Sequence, residues 1–321
     1  MSVTGARKRT SHRSTAANES PRRTSDTLNV SGRQVPVSNL QKVFYPSVGF
    51  TKAQVIDYYI RISPVLLPHL KDRPLTLKRY PDGVGGGFFY EKRCPPYRPN
   101  WVKTAPVWSD RNESEIHYCL ANDLPSIVWA ANLGDLELHT FLAKADDVER
   151  PTMMVFDLDP GAPADILDCA QVGLWLREKL ETLKLRSFPK TSGSKGLQIY
   201  VPLNTPVTYD QTKALSHQLA EQLESEHPQA IVSKMGKTLR AGKVFVDWSQ
   251  NDRHKTTVCA YSLRAKERPT VSTPVKWDEV KDALKKKDAV RLSFLSNDVL
   301  KRVEKYGDLF ETILKLKQKL P

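Results

Sequence analysis

Apolar residues recur along this chain at two periods, and the switching between them predicts a mixed α/β protein. LNVSGRQVPVSN, from Leu28, reads as a short hairpin. Thr51 with Gln54 forms a capping box, and Val55, Ile56, Tyr59, Ile60 and Ile62 follow at helical spacing, so a helix begins at Lys52. Residues 75–80 form a basic strand that leads through a glycine-rich turn to Phe88 and Phe89. Residues 126–143 hold a helix-like segment, IVWAANL, and then a strand, LELHTFLAK. ADILDCAQVGLWLREKLETL predicts a helix ending near Lys184, and Thr208 with Gln211 caps another that runs to about Glu226. Two strands follow, KVFVDW ending on Asp247 and its neighbour TVCAYSLR ending on Arg264. From Trp277 onward the chain reads as helices with basic outer faces.

The segment MMVFDLDP runs four apolar residues into two aspartates. An apolar run of this length closed by proline predicts a short buried strand. Side chains at i and i+2 share a face, so Asp157 and Asp159 project together at its end. Two ionised carboxylates held that close need positive charge between them, and hard divalent cations prefer carboxylate oxygen. With Asp247 as a distant third, the set suits two-metal phosphoryl transfer, in which two Mg²⁺ or Mn²⁺ ions about 3.5–4 Å apart bridge the carboxylates. Downstream, Ser192-Gly193-Ser194-Lys195-Gly196 makes a turn whose small residues let backbone N–H groups approach a triphosphate. It is no Walker loop, because a strand follows it, and Gly236-Lys237-Thr238 is a decoy because no glycine stands at position 231.

Charge narrows the partners. The chain of 321 residues is ordinary in being 40% hydrophobic and 26% charged, but its net charge is +13 with a pI near 9.5. That surplus favours a polyanion, nucleic acid first and an anionic membrane surface second. Adjacent Phe88 and Phe89 among Lys78, Arg79, Lys92 and Arg93 suit a platform for unpaired bases. Asn39, Lys42 and Lys52, with the helix end that begins at Lys52, suit a phosphate pocket. The glycine run at 85–87 opens no helix and is no dinucleotide fingerprint, and YPDG lacks the lysine of a ligase adenylation site. The four cysteines include no C-x-x-C pair and read as reduced, mostly buried thiols of a cytoplasmic protein. No run of 18 apolar residues predicts a membrane span, and the arginines at the N-terminus lack the apolar core of a secretory signal. Residues 1–27 read as a disordered basic arm able to add loose phosphate contacts.

FDLDP, TSGSKGLQIYVPL, RAGKVFVDWSQN and AYSLRAK…VSTPVKWDEV resemble the archaeo-eukaryotic primase superfamily, and most closely the polymerase domain of the bacterial and archaeal ligase D type used in non-homologous end joining. The likeness covers residues 28–321, from NLQKVFYP to KYGDLFETIL. It implies an RNA-recognition-motif-like, mainly antiparallel catalytic sheet over about 151–321, packed against an N-terminal α/β layer over about 28–150. It implies that Asp157, Asp159 and Asp247 are the ligands of two Mn²⁺ or Mg²⁺ ions. Ser192, Lys195 and Arg264 would hold the triphosphate, and Arg240 would reach the nucleotide or DNA. His139, which alone would read as structural, would touch the sugar. Asn39, Lys42 and Lys52 would grip a downstream 5′-phosphate, Phe88 and Phe89 would stack on the template, and Arg79 would contact its backbone. The implied activity is templated filling of short gaps and overhangs at DNA breaks, with NTPs favoured over dNTPs. Ku and an ATP-dependent DNA ligase are the implied partners, at the nucleoid. The sequence departs from the superfamily at Gln198, where the second motif usually ends in histidine; glutamine can donate to phosphate but carries no charge. No ligase or phosphoesterase domain lies within this sequence, so the expectation is either a stand-alone polymerase or one domain cut from a longer chain, with the basic head on the first Met favouring the former. A de novo primase and a non-catalytic DNA-end-binding and synapsis factor are the alternatives.

Overall fold

Strand pairing begins at Ser25 in this computed structural model, which describes residues 25–321. The hairpin of β1 (Ser25–Val30) and β2 (Arg33–Ser38) therefore starts ahead of Leu28, and the rest of the basic arm lies outside the described residues. A small pair, β3 (Val43–Tyr45) and β4 (Phe50–Thr51), leads into α1 (Lys52–Leu70), which starts on the expected capping box. The helix runs through Pro64 because the Ile60 carbonyl, denied its usual N–H donor, takes the Ser63 hydroxyl at 2.8 Å. Then follow β5 (Leu75–Arg79), β6 (Phe89–Glu91), β7 (Thr104–Ser109), β8 (Ser114–Cys119), α2 (Leu124–Asn132) and β9 (Asp135–Thr140). The short pair β10 (Ala143–Lys144) and β11 (Asp147–Pro151) joins them to β12 (Met153–Pro160). The remainder comprises α3 (Ile166–Thr182), β13 (Phe188–Thr191), β14 (Leu197–Pro202), α4 (Tyr209–Glu226), β15 (Ile231–Val232), β16 (Val244–Asp247), β17 (Thr257–Val258), α5 (Trp277–Lys286) and α6 (Ser296–Tyr306).

Two larger sheets carry the architecture. One has the order β17-β9-β5-β8-β7 with β6 added to β5, and the other the order β13-β14-β12-β16-β15. All their pairings are antiparallel except β15 with β16. The alternation of β12 decides how the sheets meet. Met154, Phe156 and Leu158 face one way, into a core built with Cys169, Val172 and Leu176 of α3. Met153 and Val155 face the other way, into the core shared with the first sheet. Asp157 and Asp159 continue that second face, so a strand that begins as core ends as a pair of carboxylates between the sheets.

Three sequence expectations fail. TVCAYSLR is a strand only at Thr257–Val258, and it joins β9 in the other sheet rather than neighbouring β16. Beyond it the backbone turns inward at Tyr261, which has φ +66° and whose N–H bonds the Ser272 carbonyl. The last helix stops at Tyr306, because Gly307 takes φ +67° and Asp308 is held by His69 and Tyr261; Gln318 then ties the tail to Pro202 and Arg186. Cys94 and Cys119 are joined by a disulfide with Cα atoms 4.9 Å apart, leaving only Cys169 and Cys259 as buried thiols. The 25-residue separation carried no signal in sequence; the link arises because the Cys94 N–H bonds His117 on β8. No described helix is long and apolar enough to cross a membrane.

Candidate active site

The carboxylate end of β12 opens on a cavity of about 480 Å³ between the two sheets. Asp157, Asp159 and Gln198 line it from the second sheet, and His139 and Thr76 from the first. Asp247 on β16 stands directly opposite Asp157 in register. The expected triad is thus brought to one place by strand pairing alone. Burial, then the charge of the other aspartates, raises the pKa of Asp157 and of Asp159 above the usual carboxylate range. Asp157 Oδ1 is buried with no hydrogen-bond partner. Asp247 is engaged: its Oδ1 accepts from the Ser249 N–H at 2.9 Å and its Oδ2 from Gln250 at 3.0 Å. Among the described residues no three His, Cys, Asp or Glu side chains are so placed that together they could hold a metal ion. An orphaned buried oxygen beside a second carboxylate on the same face nonetheless fits a divalent cation.

Cations approach this acidic end without pairing to it. Arg240 and Lys195 favour ionisation of Asp159, and the Arg240 guanidinium lies 3.7 Å above the ring of Phe245, the residue opposite Asp159. Gln198 faces Asp157 across the β12–β14 register, and its amide favours the charged form. Behind it stands Lys190, fully buried, which donates to Gln198 Oε1 and to Ser272 Oγ. The sequence reading missed this lysine, because a charged residue on a predicted strand carries no sign of burial.

The Ser192–Gly196 turn reaches β12 through Gly196 and the Val271 backbone through Gly193. A Cβ on Gly196 would lie 2.0 Å from the Leu158 carbonyl oxygen, and one on Gly193, at φ +67°, 2.5 Å from the Val271 backbone. Ser192 Oγ accepts the N–H groups of Ser194 and Gly196 at 3.2 and 3.1 Å, which leaves its own proton to donate. Arg264 Nη1 donates to the Ser192 carbonyl, so the turn and Arg264 are fixed together. Lys195 stays exposed at the rim.

On the opposite wall, His139 Nε2 lies 2.9 Å from Glu137 Oε2, and burial lowers the pKa of the imidazole. Glu137 is a second residue missed in sequence, although DLELH places Asp135, Glu137 and His139 on one strand face at period two. Phe88 and Phe89 are 53% and 44% exposed, so neither serves the core. Phe88 stacks on Tyr80 at 5.2 Å, and Tyr90 adds a third exposed ring beside them. Arg79 is committed to protein partners: its Nη1 bonds Glu91 at 2.8 Å and its Nε the Leu133 carbonyl at 3.0 Å, beneath Phe89.

Asn39, Lys42 and Lys52 also come together. Lys42 N–H bonds the Asn39 carbonyl and Lys52 N–H the Lys42 carbonyl, with Asn39 at φ +53°. Lys52 is 5% exposed, its Nζ bonds the Ser38 carbonyl at 2.7 Å, and burial followed by repulsion from Lys42 pulls its pKa down to about 8. The helix end itself is closed, contrary to the sequence reading. The first three N–H groups of α1 are taken by Lys42, Leu40 and Thr51, and Lys42 Nζ is paired with Asp82 Oδ1 at 2.5 Å, so an anion would meet the lysine side chains only by displacing Asp82 and the Ser38 carbonyl.

A family model of the LigD primase-polymerase domain matches residues 51–310. The multifunctional non-homologous end joining protein LigD of Mycolicibacterium smegmatis is 38% identical over 278 residues, which are 86% of this chain and 35% of that protein. The bifunctional non-homologous end joining protein LigD of Bacillus subtilis is 31% identical over 271 residues, which are 84% of this chain and 42% of that protein. This chain therefore spans well under half the length of these relatives. The structure of the polymerase domain of Mycobacterium tuberculosis ligase D in complex with DNA matches with a TM-score of 0.81 at 36% identity, covering 88% of this chain and 98% of that one. The mainly antiparallel fold, the cavity at the end of β12 and these matches lead to one conclusion: the chain belongs to the LigD primase-polymerase domain family, whose members are nucleotidyltransferases.

Proposed function

We propose that this chain is a DNA-dependent nucleotidyltransferase that fills short gaps and overhangs at DNA breaks during non-homologous end joining, preferring ribonucleotides. The observation that carries the reading is the alignment of Asp157 and Asp159 on β12 with Asp247 across the register, beside a cavity that Asp157 and Asp159 line and whose other wall holds His139. In the reaction a primer 3′-hydroxyl oxygen bonds to the α-phosphorus of the nucleotide, the bond to the β-phosphate oxygen breaks, pyrophosphate leaves and the hydroxyl proton passes to solvent. Asp157, Asp159 and Asp247 would hold two Mn²⁺ or Mg²⁺ ions, which supply Lewis acidity to the attacking and leaving oxygens. The protein's own groups bind and orient. Ser192 donates its free hydroxyl proton, and Lys195, Arg264 and Arg240 place positive charge along the triphosphate, with Gln198 a neutral donor beside them. His139 reads the sugar. Phe88 and Phe89 stack template bases, with Arg79 supporting Phe89 from below. Asn39, Lys42 and Lys52 meet the 5′-phosphate across the gap. Ku and an ATP-dependent ligase are the protein partners we expect.

Primer extension on a short-gapped duplex with Mn²⁺ tests this reading. The downstream strand carries a 5′-phosphate or a 5′-hydroxyl, NTPs are compared with dNTPs, and Asp157→Ala serves as the control. Templated addition that requires Asp157, is stronger with the phosphate and favours NTPs is the expected result. Tight binding to the gap with no extension would sink it in favour of an end-bridging role.

A further inference from the structure

Glu137 is 1% exposed, yet the charges around it hold its pKa far below the usual carboxylate range. Burial alone would push that pKa up; His139, Arg264 and Lys78 overcome it. Oε2 lies 2.9 Å from His139 Nε2, 3.3 Å from Lys78 Nζ and 3.3 Å from Arg264 Nε. Oε1 accepts the Ala265 N–H at 3.0 Å and the Tyr80 hydroxyl at 3.5 Å. The Arg264 contact is an ion pair rather than an aligned hydrogen bond, because its Nε–H finds no acceptor.

These partners reach two adjoining places, which Tyr90 also touches: it lines the cavity and packs edge-on against His139 at 6.2 Å. His139 and Arg264 line the cavity beside the aspartates. Lys78 belongs to the aromatic platform: its Nζ sits 4.6 Å from the Phe88 ring centre, 5.4 Å from Tyr80 and 5.5 Å from Tyr90. We propose that Glu137 is a positioning residue that couples the aromatic platform to the nucleotide cavity, one buried carboxylate fixing the cation that holds the Phe88 ring together with the two side chains that meet the incoming nucleotide. The proposal rests on reading that cavity as a nucleotide site. A template base stacked on Phe88 settles Lys78, and Lys78 shares Glu137 Oε2 with His139 and Arg264, so seating the template pre-orders the nucleotide contacts. The same carboxylate selects the His139 tautomer. With Nε2–H given to Glu137, Nδ1 is the acceptor of the neutral ring, able to receive a sugar hydroxyl.

The test is equilibrium binding of a Watson–Crick-matched NTP and dNTP to the protein on a gapped duplex whose primer is chain-terminated, with Mn²⁺ present, so that no turnover is needed. Wild type, Phe88→Ala, Glu137→Gln and the double variant form a cycle. Glutamine keeps the shape but must turn an amide N–H toward one of the donors, so Glu137→Gln should weaken NTP binding about tenfold. It should weaken dNTP binding less, narrowing the NTP-to-dNTP ratio. Phe88→Ala should weaken nucleotide binding in the wild-type background and have no further effect once Glu137 is replaced. A purely structural Glu137 would leave the Phe88→Ala effect the same in both backgrounds, and that additivity, or an unchanged sugar ratio, overturns the proposal. Should Glu137→Gln fail to fold, Glu137→Asp, which keeps the charge but draws the carboxylate back from Lys78 and His139, takes its place in the same cycle with the same outcomes. Extension by the wild-type protein on an ordinary primer is scored separately: its absence refutes the polymerase reading, while the cycle alone decides the role of Glu137.

Discussion

Asp157, half-buried with one oxygen enclosed at the cavity wall, and Glu137, buried behind His139 on the facing sheet, have opposite surroundings. Asp157 has two other aspartates for neighbours and an oxygen with no partner, and its pKa is raised. Glu137 has His139, Arg264 and Lys78 crowded against it, and its pKa is depressed. A carboxylate left short of positive charge is arranged for a cation that arrives from outside; one already surrounded by cations is arranged to hold them. Proximity to the cavity does not separate the two roles, but the balance of charge around each group does.

The largest expected effect follows from the first half of that contrast. Asp157→Asn should lower the rate of templated extension by about 10³-fold or more, the worth of several kcal/mol of metal-ligand chemistry. The same change should raise the melting temperature at neutral pH, because it removes a charge disfavoured first by burial and then by its aspartate neighbours. Loss of both activity and stability together would break the comparison, since Asp157 would then be a structural group.

Glu137→Ala should do the reverse to stability. It leaves Lys78 and Arg264, both half-buried, without their counter-ion and should cost about 3 kcal/mol in a denaturant melt. A loss under about 1 kcal/mol, the size of an exposed pair, would mean that solvent replaces the carboxylate and that Glu137 holds nothing.

The pH dependence of the two sites should differ in sign. Asp157 binds its proton more tightly in the folded state, so its contribution to stability is complete below the ordinary aspartate pKa of 3.8 and is lost as pH rises from there to about 7. Glu137 binds its proton less tightly when folded, so its contribution is complete above the ordinary glutamate pKa of 4.5 and is lost as pH falls. Subtracting the stability–pH curve of Asp157→Asn from that of wild type should give a line falling with pH, and the Glu137→Gln difference a rising one. Two lines of the same slope would erase the distinction.

Much of one site was legible before folding and little of the other. Asp157 and Asp159 declared themselves because an apolar strand ended on them, and Asp247 because a second strand did the same. The turn at 192–196 was readable because small residues and a lysine have few other uses between two strands. Glu137 and Lys190 stayed hidden because their importance lies in burial and in partners: Gln198 and Ser272 for Lys190, Arg264 and Lys78 for Glu137. Those contacts cross between elements, and no local period encodes them. The fold was lost in the same places. Residues 259–264 looked like a strand by composition, yet tertiary hydrogen bonds to Tyr59 and Ser272 bend them inward. Cys94 and Cys119 meet only because the segment after β6 runs beside β8.

Lys52 sharpens the comparison from the cationic side. It is buried with a single carbonyl for a partner and with Lys42 as a like-charged neighbour, which pulls its pKa down to about 8. It mirrors Asp157 as a charge short of its opposite. A 5′-phosphate placed against it would supply that charge and raise the pKa again, so above pH 8 binding must take up a proton. Affinity for the phosphorylated gap should therefore fall relative to the 5′-hydroxyl gap by up to about tenfold per pH unit above 8, and hold steady below it. Fluorescence anisotropy with the two duplexes between pH 7 and pH 9.5 measures the ratio directly, at constant ionic strength because phosphate contacts are salt-sensitive. Lys52→Met should lower the ratio and flatten its pH profile, whereas Lys42→Met, which removes the repelling neighbour, should move the inflection to higher pH. A ratio that stays flat to pH 9.5 in the wild-type protein would mean that Lys52 never meets the phosphate, and that its burial serves α1 and the Ser38 carbonyl alone.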